Sequence, residues 1–370
     1  MPNAPAAGRT RADACPGTLQ THDAADGPLA RVRVPGGAVS AAQLRVLGVA
    51  ARELGLDVIE LTSRANLQLR GVADPPALAA RLEAAGLLPS PSHERVRNIV
   101  SSPLGGRGVH GNLATDPLVA ALDAALCASP LLAGLPGRFL FALDDGSGDV
   151  TALEADVTCT PSGLLLAGVP IEPTCDEPIG AMAAAAEAFL AVRGDAWRLA
   201  EVPDGARRVA ERLGGTLGKA RDPGSPPAPH AGVIEQRDGS VALEAVPPLG
   251  RLSGAQAEAL ADVAADVRVT PWRSVVLRDL TRDDTSAVAV ALDAAGFAVD
   301  AASPWVGVTA CTGSPGCGKS RGDVQGEARR WVDGLEHAPG TPVHWAGCDR
   351  RCGTPRGPVV VRMADDRLRP

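Results

Sequence analysis

Four of the eight cysteines lie close together near the C-terminal end of the chain. They form a C-x5-C pair and, thirty residues later, a C-x3-C pair, made by Cys311, Cys317, Cys348 and Cys352. Glycine stands beside the cysteines of both pairs, which lets the backbone approach the sulfides of a cluster closely. Four thiolates that converge from two such segments predict a [4Fe–4S] cluster.

Structural zinc and disulfide bonds account less well for this cysteine pattern. Structural zinc also takes four cysteines, but its pairs are typically spaced C-x2-C to C-x4-C, so the C-x5-C spacing argues against zinc. Disulfide bonds are disfavoured in a reducing compartment, which is the compartment expected for this chain. The remaining cysteines are expected to be inert thiols, and they are Cys15, Cys127, Cys159 and Cys175.

The segment GSPGCGKS, Gly313 to Ser320, overlaps the first cysteine pair and also matches the phosphate-binding pattern G-x-x-x-x-G-K-[ST]. A nucleotide-binding domain continues beyond this loop with several parallel strands and a magnesium-binding aspartate, but only 51 residues follow Lys319. Four fixed positions also match by chance in a glycine-rich chain. We therefore predict no nucleotide-binding residues here.

Charge and hydropathy exclude several classes of protein. The 36 basic and 43 acidic residues give a net charge of −7, which is not the footprint of a nucleic-acid-binding protein. Only Lys219 and Lys319 are lysines, so arginine supplies nearly all positive charge, and arginine pairs well with planar carboxylates. No apolar run approaches the roughly 18 residues of a membrane span, and the N-terminus lacks the apolar core of a signal peptide. We expect a cytoplasmic protein without membrane contact.

The chain contains an internal duplication. Two segments follow the same order of a short strand, a Val-Pro turn, a serine helix cap, an alanine-rich amphipathic helix and a further strand. The predicted caps are Ser40 and Ser253, and Arg64 and Arg273 fall at corresponding places in the strand after the helix. A second helix follows in each copy. The repeated order predicts an α+β protein built by duplication.

The duplication and the cysteine pattern together resemble the nitrite and sulfite reductase family. The segment TSRANLQLRG resembles the family's T-x-R-Q-x-x-Q strand, with Arg64 and Gln68 at the matching places. RNIVSSPLGG, which begins at Arg97, resembles the family's R-N-V segment. The resemblance extends over nearly the whole chain. It implies a duplicated nitrite/sulfite reductase-like fold, with two ferredoxin-like half-domains and two sulfite-reductase-type α/β domains.

This resemblance divides the chain into five parts. The predicted parts are a first ferredoxin-like half-domain (15–90), a first reductase-like α/β domain (91–215), a proline-rich linker (216–232), a second ferredoxin-like half-domain (233–302) and the [4Fe–4S]-binding domain (303–370).

Within the family, the motifs are most similar to the branch that acts in aerobic cobalamin biosynthesis. That resemblance implies an oxidoreductase, a monooxygenase that uses O2 to hydroxylate the tetrapyrrole precorrin-3A and closes a γ-lactone. It also implies a mononuclear non-haem iron and NADH-derived electrons, delivered by a separate reductase because the chain shows no dinucleotide fingerprint. The alternative is a sirohaem-dependent sulfite or nitrite reductase, and the third candidate is a non-catalytic tetrapyrrole-binding protein.

One departure from the sirohaem enzymes favours the first of these functions. Those enzymes carry a lysine pair in an L-P-x-K-x-K setting, where this chain has LPGRFLF. Arg138 stands at the first lysine place and Leu140 at the second. Reduction of sulfite by six electrons consumes many protons, so the replacement of an ammonium donor by leucine argues against that chemistry.

A substrate rich in carboxylates calls for several arginines in one cleft, since each can form a bidentate pair. If residues 64–70 form one strand, alternate side chains share a face. The predicted substrate-binding residues are Arg64, Asn66, Gln68, Arg70, Arg97 and Arg138. The six histidines include no H-x-[DE] pair, so the sequence predicts neither the ligands of a mononuclear iron nor a catalytic residue.

Overall fold

The computed structural model describes residues 13–174, 177–220 and 224–364, so Cys175 lies outside the described residues. The chain divides into two compact units. The first comprises the described residues up to 17, residues 33–37 and residues 88–226, and the second comprises residues 18–32, 38–87 and those from 227 onward. Among the described residues, none of the helices combines the length and apolar character needed to cross a bilayer.

Helices and strands are interspersed along the described residues. The helices of the described residues are α1 (Ala41–Leu54), α2 (Pro75–Ala84), α3 (Thr115–Ala128), α4 (Pro178–Val192), α5 (Gly205–Arg212), α6 (Gly254–Val263), α7 (Arg282–Ala294) and α8 (Val324–Val332). The strands are β1 (His22–Ala24), β2 (Gly27–Val32), β3 (Ala38–Ser40), β4 (Ile59–Leu61), β5 (Leu67–Leu69), β6 (Ile99–Ser101), β7 (Phe141–Leu143), β8 (Val157–Thr160), β9 (Gly163–Leu166), β10 (Val169–Glu172), β11 (Thr216–Leu217), β12 (Gly232–Glu235), β13 (Val241–Ala245), β14 (Arg251–Leu252), β15 (Asp266–Val269), β16 (Val275–Leu280), β17 (Val308–Ala310), β18 (Val343–Ala346) and β19 (Val360–Met363).

The second unit contains two related five-stranded antiparallel sheets. Their strand orders are β1-β2-β5-β4-β14 and β12-β13-β16-β15-β3. Strand β14 belongs to the second copy of the repeat but pairs with β4 of the first, and β3 of the first copy pairs with β15 of the second. Each copy of the repeat therefore contributes one short strand to the sheet of the other copy.

The two helices that open the repeats begin in the same way. The Ser40 hydroxyl accepts a hydrogen bond from the backbone N–H of Gln43 at 3.2 Å, and the Gln43 side chain accepts one from the Ser40 N–H at 3.0 Å. Ser253 and Gln256 repeat both bonds at 3.2 and 3.0 Å. Such reciprocal bonds satisfy two of the N–H groups that a helix leaves free at its start. The predicted serine caps are confirmed.

The turn that follows β4 corrects the predicted alignment of the two copies. In the first copy the N–H of Thr62 donates to the carbonyl of Asn66, and in the second Thr270 bonds Ser274 in the same way. The left-handed residue of this turn is Ala65 in the first copy, with φ 54°, and Arg273 in the second, with φ 68°. Arg273 therefore corresponds to Ala65, and the predicted match between Arg64 and Arg273 is wrong by one residue.

The first unit packs helices against a six-stranded sheet. Its strand order is β11-β10-β9-β8-β7-β6, in which β6, β7 and β8 are parallel neighbours. Phe139, Phe141 and Phe189 are fully buried in its core, with Phe139 between the other two rings at centroid distances of 5.0 and 4.7 Å. Burial of such rings is the main source of stability in a core of this kind.

The last part of the second unit is a small parallel sheet in the order β17-β18-β19. Helix α8 connects β17 to β18 as a parallel crossover, and its buried residues Val324, Ala328 and Val332 share one core with Val308 and Val343 of the sheet. A strand therefore precedes each cysteine pair.

Candidate iron–sulfur site

Both cysteine pairs follow neighbouring strands of the parallel sheet. Cys311 comes directly after β17, and Cys348 lies two residues after β18. These strands run in parallel with Ala310 opposite Trp345, so both loops leave the same edge of the sheet. The topology thus brings together two segments separated by thirty residues.

Hydrogen bonds link Cys311 to strand β18 and to the loop that follows this strand. The N–H of Cys311 donates to the carbonyl of Trp345 at 2.9 Å. The N–H of Gly347 donates to the Sγ atom of Cys311 at 3.2 Å. An N–H group that bonds sulfur in this way stabilises a thiolate and is one of the devices that set the potential of an iron–sulfur cluster.

The charges of two other predicted ligands act on the thiol of Cys311. Burial raises the pKa of the Cys311 thiol, the N–H groups of Gly347 and Gly313 oppose that rise, and the charges of Cys352 and Cys317 add to it. Cys311 therefore has two other predicted ligands in its neighbourhood. Cys352 is exposed, and the other predicted ligands are half-buried.

A [4Fe–4S] cluster and a single metal ion need different spacings of their ligands. In the part of the chain that the structure describes, no three His, Cys, Asp or Glu side chains are grouped closely enough to hold one metal ion. The four cysteines of a [4Fe–4S] cluster each bind a different iron, so their sulfurs stand further apart than the ligands of one ion. The described residues lend no support to the mononuclear non-haem iron implied by the resemblance.

A buried imidazole lies beside the exposed cysteine. His344 is fully buried, and its Nδ1 atom lies 2.9 Å from the Thr309 hydroxyl. Burial and the nearby charge of Arg273 lower the pKa of His344 to about 4, while the backbone of Cys352 acts in the opposite direction. The imidazole is therefore neutral at physiological pH. Its Nε2 atom makes no hydrogen bond of normal geometry among the described residues.

The phosphate-loop interpretation finds no support in this geometry. In a phosphate-binding loop, a helix N-terminus directs its N–H groups at the phosphates. Here α8 begins only at Val324, after Lys319 and Ser320, and the Asp323 side chain accepts a hydrogen bond from the N–H of Gly326 at 2.9 Å. The helix start is thus occupied by its own acidic cap.

Only part of the segment 64–70, which was expected to form a strand with one polar face, is a strand. Arg64 lies half-buried in the turn before β5, and Asn66 also precedes the strand. Asn66, Gln68 and Arg70 are buried and alternate with the buried leucines of β5, as the two-residue period requires. The face therefore begins at Asn66, two residues later than expected, because the turn needs the residues before it.

Gln68 and Arg70 are engaged in a buried polar network. The Gln68 amide accepts from Arg31 at 2.8 Å and donates to Glu60 at 2.5 Å. Arg70 pairs with Asp26 at 2.7 Å and lies 3.5 Å from Glu60. No sequence pattern indicates these carboxylate partners, because both lie on other strands or turns of the sheet.

The remaining predicted arginines lie in the first unit. Arg97 is buried and forms a bidentate pair with Asp123, with both N–O distances 2.6 Å. Arg138 is exposed, and its guanidinium carbon lies 4.7 Å from the centre of the Trp197 ring, a cation–π contact. Leu140, at the second lysine place of the reductases, is buried. Binding of substrate by Arg97 and Arg138 stays a prediction.

An acidic loop after β7 carries a further titratable group in the first unit. Asp144 and Asp145 are buried and accept hydrogen bonds from backbone N–H groups of the loop. Asp149 lies beside them, and its carboxyl accepts a hydrogen bond from Ser102 at 2.6 Å. Burial and the charges of Asp144 and Asp145 raise the pKa of Asp149 to about 7, although the bond from Ser102 opposes the rise.

Because the pKa of Asp149 is raised to about 7 in the folded state from 3.8, stability should fall as pH rises from about 4 to about 7. We expect Asp149→Asn to raise the melting temperature by several degrees at pH 8, where the carboxylate is fully charged. The gain should be much smaller at pH 5. Thermal unfolding at both pH values checks this, with the exposed Asp195→Asn as control. An equal effect of Asp149→Asn at both values would contradict the assignment.

Comparison with known proteins agrees with the fold. The model of the nitrite/sulfite reductase ferredoxin-like half domain matches residues 22–85 and 234–295, which are the two copies of the repeat. A solved structure, the NirA protein of Mycobacterium tuberculosis, superimposes with a TM-score of 0.71 and 24% identity, covering 88% of this chain and 69% of that one.

Two curated relatives bear on the reaction. Sulfite reductase [ferredoxin] 2 of Mycolicibacterium paratuberculosis is 28% identical over 83% of this chain and 62% of its own length. Precorrin-3B synthase of a Sinorhizobium species is 26% identical over 94% of this chain and 79% of its own length. The chain thus spans less than two-thirds of the sulfite reductase.

Fold, cysteine arrangement and relatives together define the class of this protein. It has the duplicated nitrite/sulfite reductase-like fold, with two ferredoxin-like half-domains, as the sequence predicts. Relatives with the names sulfite reductase and nitrite reductase match most of the chain, and a solved structure shares its fold.

Proposed function

We propose that this oxidoreductase holds a [4Fe–4S] cluster on its four C-terminal cysteines. The observation that carries the proposal is that both cysteine loops leave one edge of a parallel sheet, where the Gly347 N–H already bonds the Cys311 sulfur. When bound, such a cluster supplies electrons one at a time. The chain's own contribution is to hold the thiolates and to place the buried His344 beside Cys352.

We further propose that the reaction is the O2-dependent conversion of precorrin-3A to precorrin-3B. One oxygen atom of O2 enters the tetrapyrrole and the other leaves as water, so the reaction takes up two electrons and two protons. A separate reductase that oxidises NADH would supply the electrons. Support comes from the relative named precorrin-3B synthase, which matches over 94% of this chain. The buried Leu140 also supports it, because leucine cannot donate the protons that sulfite reduction consumes.

A sirohaem-dependent sulfite or nitrite reductase is the second candidate, and the comparisons favour it. Relatives with that activity in their names include a sulfite reductase with 28% identity and a nitrite reductase of Synechococcus elongatus with 26% identity. We place it second because Arg138 and Leu140 stand where the family's reductases carry lysines. Arginine holds its proton too tightly to act as a general acid near neutral pH.

One experiment separates these functions. The protein is purified anaerobically, its visible spectrum is recorded, and it is then supplied with precorrin-3A and a reductant, with and without air. The proposal predicts a broad iron–sulfur absorption without sirohaem bands, and an oxygenated product only in air. Intense sirohaem bands with reduction of sulfite or nitrite would establish the second candidate instead. Binding of precorrin-3A without any oxygen-dependent product would indicate a tetrapyrrole-binding protein.

A further inference from the structure

We propose that Arg70 is a positioning residue that fixes the C-x5-C loop of the cluster site. The strand pattern predicts that this arginine binds substrate carboxylates, but its contacts in the structure are with the loop between Cys311 and Cys317. The inference rests on the proposed function only in taking these two cysteines as cluster ligands, and it is independent of which reaction the protein catalyses.

The guanidinium of Arg70 reaches both ends of the loop. Its Nη2 atom donates to the carbonyl of Gly316 at 2.8 Å, and its Nη1 atom lies 3.5 Å from the hydroxyl of Thr312. Gly316 immediately precedes Cys317, and Thr312 immediately follows Cys311. One planar group therefore contacts the residues next to both cysteines of the pair, through the backbone carbonyl of Gly316 and the side chain of Thr312.

The same guanidinium is held rigidly from its other side. Nε and Nη2 of Arg70 donate to the two carboxylate oxygens of Asp26, each at 2.7 Å, and Nη1 lies 3.5 Å from Glu60. Burial opposes the charge of Arg70, but the bonds and charges of Asp26 and Glu60 raise its pKa, so it stays charged. With 4% of its side chain exposed and every nitrogen engaged, Arg70 has no face left for a substrate carboxylate.

A second chain of hydrogen bonds reaches the loop from the exchanged strand. Arg251 lies opposite Glu60 in the pairing of β14 with β4 and donates to it at 2.7 Å. Arg251 also donates to the side-chain oxygen of Gln325 on α8. The Gln325 amide then donates to the carbonyls of Thr312 at 2.9 Å and Cys311 at 3.3 Å. The strand exchange between the two halves thus supports the first cysteine of the site.

The close packing around Gly316 independently supports the contact between Arg70 and the C-x5-C loop. A Cβ atom at this position would stand 2.8 Å from Asp26 Oδ2 and 2.7 Å from the Thr312 methyl group. Such distances are too short for any side chain, so the loop backbone rests directly on the Arg70–Asp26 pair. We refer to Arg70, Asp26, Glu60, Arg251 and Gln325 as the loop clamp.

A clamp of this kind has two measurable consequences. Partners that orient metal ligands commonly change metal affinity by about 10- to 100-fold when they are removed. A buried positive charge beside a cluster also favours the more negative, reduced state, because it compensates the added electron. Removing the charge of Arg70 should therefore make the cluster more labile and its reduction potential more negative.

The test compares Arg70→Gln with Arg70→Lys in anaerobically purified protein. The rate of cluster bleaching by a chelator is followed by visible absorption, and the midpoint potential by EPR-monitored titration. Arg70→Gln should bleach at least about tenfold faster and have a more negative potential. Arg70→Lys keeps the charge but not the bidentate geometry, so it should bleach faster with a potential near that of the wild type.

Arg198→Gln is the matched control. Arg198 forms a comparable pair with the buried Asp156 at 2.6 Å, in the first unit of the chain. This substitution removes an arginine of a partly buried pair without touching the loop clamp, so both readouts should equal those of the wild type.

Wild-type bleaching and potential in Arg70→Gln would overturn the inference while leaving the cluster site intact. If Arg70→Gln yields no folded protein, Gly316→Ala tests the same contact from the loop side, and unchanged bleaching there would equally overturn it. Cys317→Ser tests the assignment of the cluster ligands separately from the role of Arg70. If that variant retains the full cluster, the proposed cluster ligands are wrong, whatever Arg70 does.

Discussion

Substitution of Cys317 by serine is expected to abolish the iron–sulfur absorption of the purified protein. Serine is a poorer ligand than a thiolate for the iron of such clusters, which proteins hold by cysteine. Cys317 is half-buried in a loop whose neighbouring residue Gly316 accepts a hydrogen bond from Arg70. The readouts are the visible spectrum and the iron content per chain.

Cys159→Ser is the control for this experiment. Cys159 is buried in β8 of the first unit, where burial raises the pKa of its thiol to about 11. A thiol of that kind is not a ligand, so its replacement should leave the spectrum unchanged. An intact iron–sulfur spectrum in Cys317→Ser, or its loss in Cys159→Ser, would contradict the assignment of the ligands.

Removal of the Glu60 carboxylate is expected to cause the largest loss of stability. Glu60 accepts hydrogen bonds from Gln68 at 2.5 Å and from Arg251 at 2.7 Å, and it lies 3.5 Å from Arg70. Glu60→Ala would leave Arg251 without its carboxylate in a largely buried place. Breaking one partner of such a pair costs about 3 kcal/mol or more in the free energy of unfolding.

Denaturant unfolding, followed by circular dichroism, checks this loss of stability. The matched control is Glu258→Ala, which removes the carboxylate paired with Arg52 on the exposed surface of α6 and α1. Exposed ion pairs contribute little, so this control should unfold close to the wild-type midpoint. Equal midpoints for Glu60→Ala and Glu258→Ala would show that the buried network does not stabilise the fold.

The sequence predicts those parts of the site that depend on the types and spacing of neighbouring residues. Cysteine spacing with adjacent glycines predicts the two loops, and a serine directly before an alanine-rich amphipathic helix predicts the helix starts at Ser40 and Ser253. Strand β14 is different, because two residues, Arg251 and Leu252, are too few to show a two-residue period. The exchange of strands between the halves was therefore not predictable.

Arg70 illustrates which contacts of a residue a local pattern leaves undetermined. The alternation along β5 correctly groups Gln68 and Arg70 on one buried face, but it cannot identify what covers that face. One partner, Asp26, lies 44 residues away in sequence, and another contact, Gly316, lies 246 residues away. Only the fold shows that the arginine is already occupied by a carboxylate and a loop carbonyl.

The iron and acid-labile sulfide content of anaerobically purified protein, measured together with its Mössbauer spectrum, shows whether the four cysteines hold a [4Fe–4S] cluster. Four thiolates from Cys311, Cys317, Cys348 and Cys352 predict four irons and four sulfides per chain, with the spectrum of a [4Fe–4S] cluster. Zinc in place of iron, or iron without sulfide, would contradict the assignment of these cysteines to an iron–sulfur cluster.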